Sequence, residues 1–385
     1  MPIKYAFNWQ PDAAAKEFVE ESLQRLFKTE SIQFDGSAIM VKFEESVTQQ
    51  QFEKVIKNLL FIARSVDKNM LFEQRLDNLY QQNPQQALEV RGDVMRIAPG
   101  CYGLQGNFLK VCKSFQDQVM GLAQKYNAIE QEFPVLWPIE MFKSINYFSD
   151  YPHQVILTAT PQENHATRLE FADKYKKTND FERIDLDENM EPAAYGLAPM
   201  VCGCCYYTLR NRQSVENKIY TTYNKVFRNE RSNIDSLDRL TTFSVRDIVF
   251  VGDSEFVLHT RQRLIDDLII LLQQWGIDCK VETANDPFFS NESMYKNVYQ
   301  YKHRTKYELL ARLPFCDRYI AIGSINLHED YYGKNFDIQG INGDHVHSGC
   351  IGVGFERLTY ALYSQYGPDE QHWPEEIAAL HGLIG

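Results

Sequence analysis

No stretch of this chain is apolar over enough residues to span a bilayer, and its start shows no basic segment leading into an apolar one. Neither a secretory leader nor a membrane anchor is therefore expected. Positive charge is also in deficit: 40 Lys and Arg stand against 52 Asp and Glu, a formal net charge of -12. Binding governed by nucleic-acid phosphates calls for a basic face, so the overall acidity disfavours a nucleic-acid partner, although a local basic patch is compatible with it. There is no internal repeat, no low-complexity tract and no sustained heptad pattern. Eight cysteines without a secretion signal read as reduced thiols in the cytoplasm.

What is present suffices for a packed core. The 385 residues are 44% hydrophobic and 13% aromatic, which fits one large domain and one small one. Residues 1–95 read as a small α/β module. Ala13 to Phe27 has helical spacing with Asp12 as its N-cap. Ala38 to Phe43 is strand-like, and Ser46 to Gln49 forms a capping-box pattern opening a helix through Phe52, Val55, Leu59 and Phe61. A further helix is expected over Asn69 to Leu88, interrupted at Pro84. The module is expected to serve as scaffold or dimerisation element rather than to bind substrate.

Residues 96–385 read as the second domain. A helix of about six turns is predicted over Phe108 to Ile129. Residues 162–197, Gln162 to Leu197, are polar and poor in β-formers, and read as an inserted helical segment carrying the basic run Lys174 to Lys177. Ser254 to Trp275 is a long helix whose apolar face includes Leu264, Leu268 and Leu272. Strands follow at Cys279 to Thr283, Tyr307 to Leu313 and Arg318 to Ile325. The fold class is α+β.

Three stretches carry chemistry. In His347-Ser-Gly-Cys-Ile-Gly-Val-Gly-Phe-Glu-Arg-Leu358 a thiol, two glycines and an arginine share one turn. The glycines let a backbone come close to a ligand, and Arg357 falls in the first turn of a helix, where anions are favoured. A dinucleotide fingerprint would need a third glycine at Arg357, so that reading fails. Upstream, Thr222 to Arg231 and Asp238 to Gly252 read as two strands of an antiparallel hairpin joined by the polar loop Ser232 to Ser236. Arg228 and Glu230, two apart, are placed on one face of the first strand. Leu197 to Tyr207 holds three thiols, Cys202, Cys204 and Cys205. Thiolates and carboxylates are zinc ligands. Cys101, Cys112, Cys279 and Cys316 read as core.

Phe227-Arg-Asn-Glu230, followed by Arg239 and Phe243, resembles motif 2 of the class II aminoacyl-tRNA synthetases, and Gly352-Val-Gly-Phe-Glu-Arg357 resembles their motif 3. Glu282 to Phe289, Thr305 to Leu310 and Ser324-Ile-Asn-Leu-His328 resemble the amino acid:[carrier protein] ligases, truncated relatives of the archaeal-type, zinc-dependent seryl-tRNA synthetases. The resemblance implies an antiparallel sheet flanked by helices, and a homodimer built on the Phe108 to Ile129 helix. It implies ATP with Mg2+, activation of a small amino acid (glycine or alanine) as its adenylate, and transfer to the phosphopantetheine thiol of an acidic carrier protein; the basic run Lys174 to Lys177 reads either as a contact for such a protein or as a solvated helix face. The rival readings are an atypical seryl-tRNA synthetase and a non-catalytic paralogue. A tRNA partner is disfavoured because no basic helical hairpin is evident.

By the same resemblance, Arg228 meets the α-phosphate, Glu230 the adenine amino group, and Phe243 stacks on adenine; Arg357 stacks opposite or grips the γ-phosphate, and Arg239 reaches the terminal phosphates. Glu308, Ser324 and Asn326 belong to the substrate side. Zn2+ would take Cys202, Asp247 and Cys350. Two departures stand out. The family places a glutamate where this chain has Asp247, so the ligand set must shift or a neighbour such as Cys204 must substitute. The glutamate that holds magnesium is replaced by Ala321, leaving Asp330 or Asp337 to compensate.

Overall fold

The computed structural model of the chain describes residues 2–66, 68–176, 190–230, 234, 236–289 and 291–383. Its strands, in chain order, are β1 Ile3–Ala6, β2 Thr29–Asp35, β3 Ala38–Phe43, β4 Met70–Gln74, β5 Val94–Ala98, β6 Cys101–Leu104, β7 Ile129–Gln131, β8 Leu136–Pro138, β9 Tyr195–Leu197, β10 Lys218–Phe227, β11 Thr242–Gly252, β12 Cys279–Thr283, β13 Lys306–Leu313, β14 Arg318–Glu329 and β15 His347–Gly354. Among the described residues, eight of them form one sheet in the order β4-β12-β13-β14-β15-β11-β10-β7. All its pairings are antiparallel except β7 with β10.

Alternation along β11 and β15 divides the molecule. Ile248, Phe250, Ile351 and Val353 enter a core closed by the helices Gly106–Lys125, Ser254–Trp275 and Phe355–Tyr366. Val249, Val251 and Cys350 enter a second core with Trp137, Phe142, Tyr206 and Tyr332. Adjacent residues of one strand point to opposite faces, so Asp247 and Val249 face the same side as their partners Gly352 and Cys350. The Ser254–Trp275 helix is delimited by its ends: the Asp253 carboxylate accepts from the Phe256 N–H at 2.8 Å, and Gly276 closes it at φ +61°.

The N-terminal module packs β1-β3-β2 against the helices Ala13–Leu26 and Gln49–Ala63 around Phe18, Leu23, Val41, Phe52 and Leu59. Asp12 caps the first helix as expected, accepting from the Ala15 N–H at 2.8 Å.

Several boundaries differ from the sequence reading. The second helix is capped two residues later than expected, by Thr48 with Gln51 returning the bond, and Phe61 faces solvent. Asn69 to Leu88 holds no single helix: Met70–Gln74 is β4, an edge strand paired with β12, and a short helix spans Gln85–Arg91. The helix begun near Phe108 ends at Lys125, because Ile129 opens β7. In the polar insertion His165–Lys176 is helical, but Tyr195–Leu197 pairs with β8 as a strand. Residues 177–189, with Lys177, lie outside the described residues, as do Ser232, Asn233 and Asp235 of the hairpin loop. Of the four cysteines assigned to the core, Cys112 and Cys279 are buried, Cys101 is half-buried and Cys316 is exposed.

Candidate active site

The second face of the sheet opens into a cavity of about 950 Å³ lined from β11, β13, β14, β15 and the segments before and after them. Its floor is a thiol–carboxylate corner. Asp247 on β11 stands across from Gly352, and Cys350 lies two residues away on β15. Cys202 reaches the same point from the turn before the Gly203–Thr208 helix. One ligand atom from each of Cys202, Asp247 and Cys350 lies within 4.8 Å of the others, and all three residues are buried. The Cys202 N–H donates to Asp247 Oδ2 at 2.9 Å. Gly352 supplies the space: a Cβ there would come within 2.3 Å of Asp247 Oδ1. Cys204 is buried beside Trp137 rather than joining the three, so it does not substitute for the shorter acid.

The three groups at the corner shift one another's protonation. The Cys202 thiol donates to Cys350 and holds the Cys350 thiol well below its usual range, with His328 and Asn326 assisting; Cys202, which keeps the proton, is pushed up. Burial, and then the Cys350 charge, push the Asp247 carboxyl well above the carboxylate range. Charge in an apolar interior is costly unless it is paired. Two thiols and a carboxylate converging in a buried space fit a borderline-soft divalent ion such as zinc.

The opposite end is cationic and aromatic. The Arg228 and Arg357 guanidinium carbons lie 5.5 and 5.8 Å from the centre of the Phe243 ring. Burial lowers the Arg357 pKa, while Glu230 opposes that shift. Arg228 and Glu230 do not share a strand face, since β10 ends at Phe227; both lie just beyond it and still line the cavity. Arg228 Nε donates to the Pro199 carbonyl at 3.0 Å, and the Arg239 and Glu230 side chains approach to 4.0 Å. Beneath them Glu356 accepts from the Ser244 N–H at 2.8 Å and from Lys225 at 2.8 Å, tying the Phe355–Tyr366 helix to the hairpin.

Between the two ends, Glu308, Ser324 and Asn326 line one wall. Asn326 Nδ2 donates to Ser324 Oγ at 3.0 Å and approaches Cys350 Sγ at 3.5 Å. Ala321 and Asp330 line the cavity, with Asp330 paired to Lys334 at 2.7 Å. Asp337 does not line it; it lies 3.4 Å from His345 on the surface.

Three residues beside the expected ones were given no role from sequence. His328 follows Ser324 and Asn326 at strand spacing on β14, which was a legible signal; its Nδ1 lies 3.2 Å from the Tyr206 hydroxyl and its Nε2 4.0 Å from Cys350 Sγ. Lys306 and Asp286 pair at 2.6 Å. Burial disfavours both charges, but the partners dominate: Lys306 holds Asp286 below the usual carboxylate range, and Asp286 with Glu308 holds Lys306 above the usual amine range. Both lay within stretches singled out from sequence, yet only the fold shows that they meet.

The family model of the tRNA synthetase class II core domain (G, H, P, S and T) matches residues 173–366. An amino acid–[acyl-carrier-protein] ligase 1 of Bradyrhizobium diazoefficiens is 30% identical over 201 residues, covering 52% of this chain and 61% of that protein. The chain thus spans about three fifths of that ligase's length, and 60% of a second ligase from the same organism. A type-2 serine–tRNA ligase of Methanococcus maripaludis is 21% identical over 381 residues, covering 92% of this chain and 74% of the relative. Among solved structures, the M. kandleri SerRS in complex with A. aeolicus tRNASec superposes with a TM-score of 0.71 at 17% identity, covering 98% of this chain and 76% of that one.

Proposed function

The chain belongs to the family of class II tRNA synthetase core domains, and from that premise we propose that it activates a small amino acid with ATP and passes it to the phosphopantetheine thiol of a carrier protein. The observation that carries the proposal is the pairing of two ends in one cavity: three metal-capable side chains at the floor, and two arginines over one aromatic ring opposite. The relatives named amino acid–[acyl-carrier-protein] ligases support the choice of acceptor.

In this reading Arg228 neutralises the α-phosphate while the amino acid carboxylate attacks phosphorus and pyrophosphate leaves, so catalysis is positioning and charge neutralisation. Phe243 and Arg357 bracket the adenine, Glu230 accepts from its amino group, and Arg239 meets the terminal phosphates with Mg2+. Cys202, Asp247 and Cys350 would hold Zn2+, which supplies a Lewis-acid site for a neutral amine. Glu308, Ser324 and Asn326 orient the substrate beside it. The division into a 1–95 module and a 96–385 catalytic domain with an insertion at 162–197, the homodimer, the acidic carrier protein met at Lys174, and the cytoplasmic setting belong to the same proposal.

Amino acid-dependent exchange of pyrophosphate into ATP tests it. Exchange with one small amino acid, lost in Cys350→Ala, is the expected result; no exchange with any amino acid overturns it. A second reading, seryl-tRNA synthesis, draws on the fuller coverage by a type-2 serine–tRNA ligase, and serine-dependent charging of bulk tRNA would favour it. Ala321 at a magnesium-holding position favours a third, a non-catalytic paralogue, for which ATP binding without exchange is the signature.

A further inference from the structure

The N-terminal module forms part of the cavity. Phe27 and Lys28, where the Ala13–Leu26 helix gives way to β2, line the cavity with Glu45 from the loop after β3. Facing them are His153, Phe289 and Tyr299. Lys28, Glu45, Phe289 and Tyr299 are exposed whereas Cys202, Asp247 and Cys350 are buried, so these outer residues mark the open end. The module is held in place there. Lys68 bonds Glu17 of the module at 2.5 Å and Glu282 of β12 at 3.0 Å, and Phe18 packs edge-on against Tyr301. The expectation that the module is scaffold alone omits this position.

We infer that the seam between module and catalytic domain is the acceptor's entry, shaped for a slender, uncharged, thiol-ended arm of the pantetheine type. The inference rests on the proposed ligase activity. In the transfer step the thiol sulfur bonds to the acyl carbon, the carbon–oxygen bond to AMP breaks with its electron pair going to AMP, and the thiol proton passes to water. The acceptor must therefore reach the acyl group while the adenylate fills the inner cavity, which leaves the outer opening as its route. Chemistry at the opening selects the arm. His153 and Phe289 stack with centroids 5.7 Å apart, giving an apolar wall with polar atoms beside it. Two cations there are accompanied by acids: Lys296 meets Asp150 at 2.6 Å and Lys334 meets Asp330 at 2.7 Å. An RNA end would need cations able to neutralise its phosphates; an aliphatic arm with amides does not.

Single-turnover transfer from the enzyme-bound adenylate to pantetheine, measured beside pyrophosphate exchange, tests this. In Lys28→Trp, which narrows the opening at an exposed position, the ratio of transfer to exchange should fall on the order of ten-fold, because small misplacements of a reacting group are costly. Phe289→Ala, which removes a wall, should raise the pantetheine concentration needed for half-maximal transfer while the maximal rate holds. Transfer and exchange falling in proportion in Lys28→Trp would overturn the inference, as would no change in either variant. Transfer to bulk tRNA but not to pantetheine would also overturn it. Absence of exchange in the unaltered chain would instead show that the underlying activity was misread.

Discussion

The two faces of the central sheet are built from alternate residues of the same strands, yet they obey opposite rules. Behind β11 and β15, Ile248, Phe250, Ile351 and Val353 meet Phe115, Leu268, Leu272 and Trp275 in an apolar core. In front, Asp247 and Cys350, each one residue removed from a core side chain, sit buried beside a second thiol. The rear is filled to stabilise; the front leaves a cavity of about 950 Å³ and gathers groups that burial penalises. A one-residue step along a strand thus separates the packed core from the candidate site, and substitutions on the two faces should separate stability from the proposed activity.

The largest effect should come from the rear. Trp275 is fully buried, packs edge-on with Phe115 at 4.9 Å and donates to Gln118 at 2.8 Å. Trp275→Ala should cost about 3–5 kcal/mol in chemical denaturation, the usual range for emptying such a site. Exchange activity of the fraction still folded should be unchanged. Loss of exchange in fully folded protein would break the division between faces.

The mirror experiment is Cys350→Ala. Altering partners outside a metal's own ligands commonly costs about 10–100-fold in affinity or activity, so removing a proposed ligand should cost at least the upper end. Metal content by elemental analysis should fall with the exchange rate while the denaturation midpoint stays near that of the unaltered chain.

The rear was also the more legible face. The Ser254–Trp275 helix appears between the residues expected of it, because Asp253, Gly276 and an apolar stripe all agree. Strands β3 and β12 likewise match their expected limits, since their β-formers are bounded by turns and polar residues. At the site, Cys202, Asp247 and Cys350, named from the motif resemblance, lie with their ligand atoms within 4.8 Å of one another. Less was legible where partners are remote or exposure is high. β4 joins the sheet only at its edge, with Met70 and Leu71 exposed, so its sequence lacks the alternation of a half-buried strand. The Lys306–Asp286 pair brings together two loop-flanked positions that no local pattern relates. Nor could any local signal place Phe27 and Lys28 on a cavity lined by β11, β13, β14 and β15.

A smaller effect, again at the rear, depends on pH. His381 is buried against Phe115, with Nδ1 3.1 Å from Ser114 Oγ, and burial lowers its pKa to about 4. The unfolded chain, with a histidine near its ordinary value of 6.5, binds the proton more readily. Stability is therefore complete above that value and is lost as pH falls from it towards about 4. By pH 5 the loss should be about 2 kcal/mol at one histidine. Denaturation at pH 8 and pH 5 should show that increment in the unaltered chain and not in His381→Phe. An equal pH response in both would mean that the acid sensitivity resides in groups other than His381.

The finest test asks how closely the front is fitted to its own residues. The resemblance puts a glutamate where Asp247 stands, so Asp247→Glu restores the residue that the resemblance implies. The surroundings favour the shorter acid. Asp247 Oδ2 is fixed by the Cys202 N–H at 2.9 Å, and Oδ1 occupies the space that Gly352 leaves open. A longer side chain must move one oxygen off that N–H and push the other towards the β15 backbone. Overfilling a packed site typically costs about 1–3 kcal/mol, and partial relaxation into the cavity places this one near 1 kcal/mol. Metal content should be retained, with the exchange rate falling less than about ten-fold, since carboxylate chemistry is unchanged. A rise in exchange with no loss of stability would show instead that the corner tolerates either acid, and that burial on the front face is looser than on the rear.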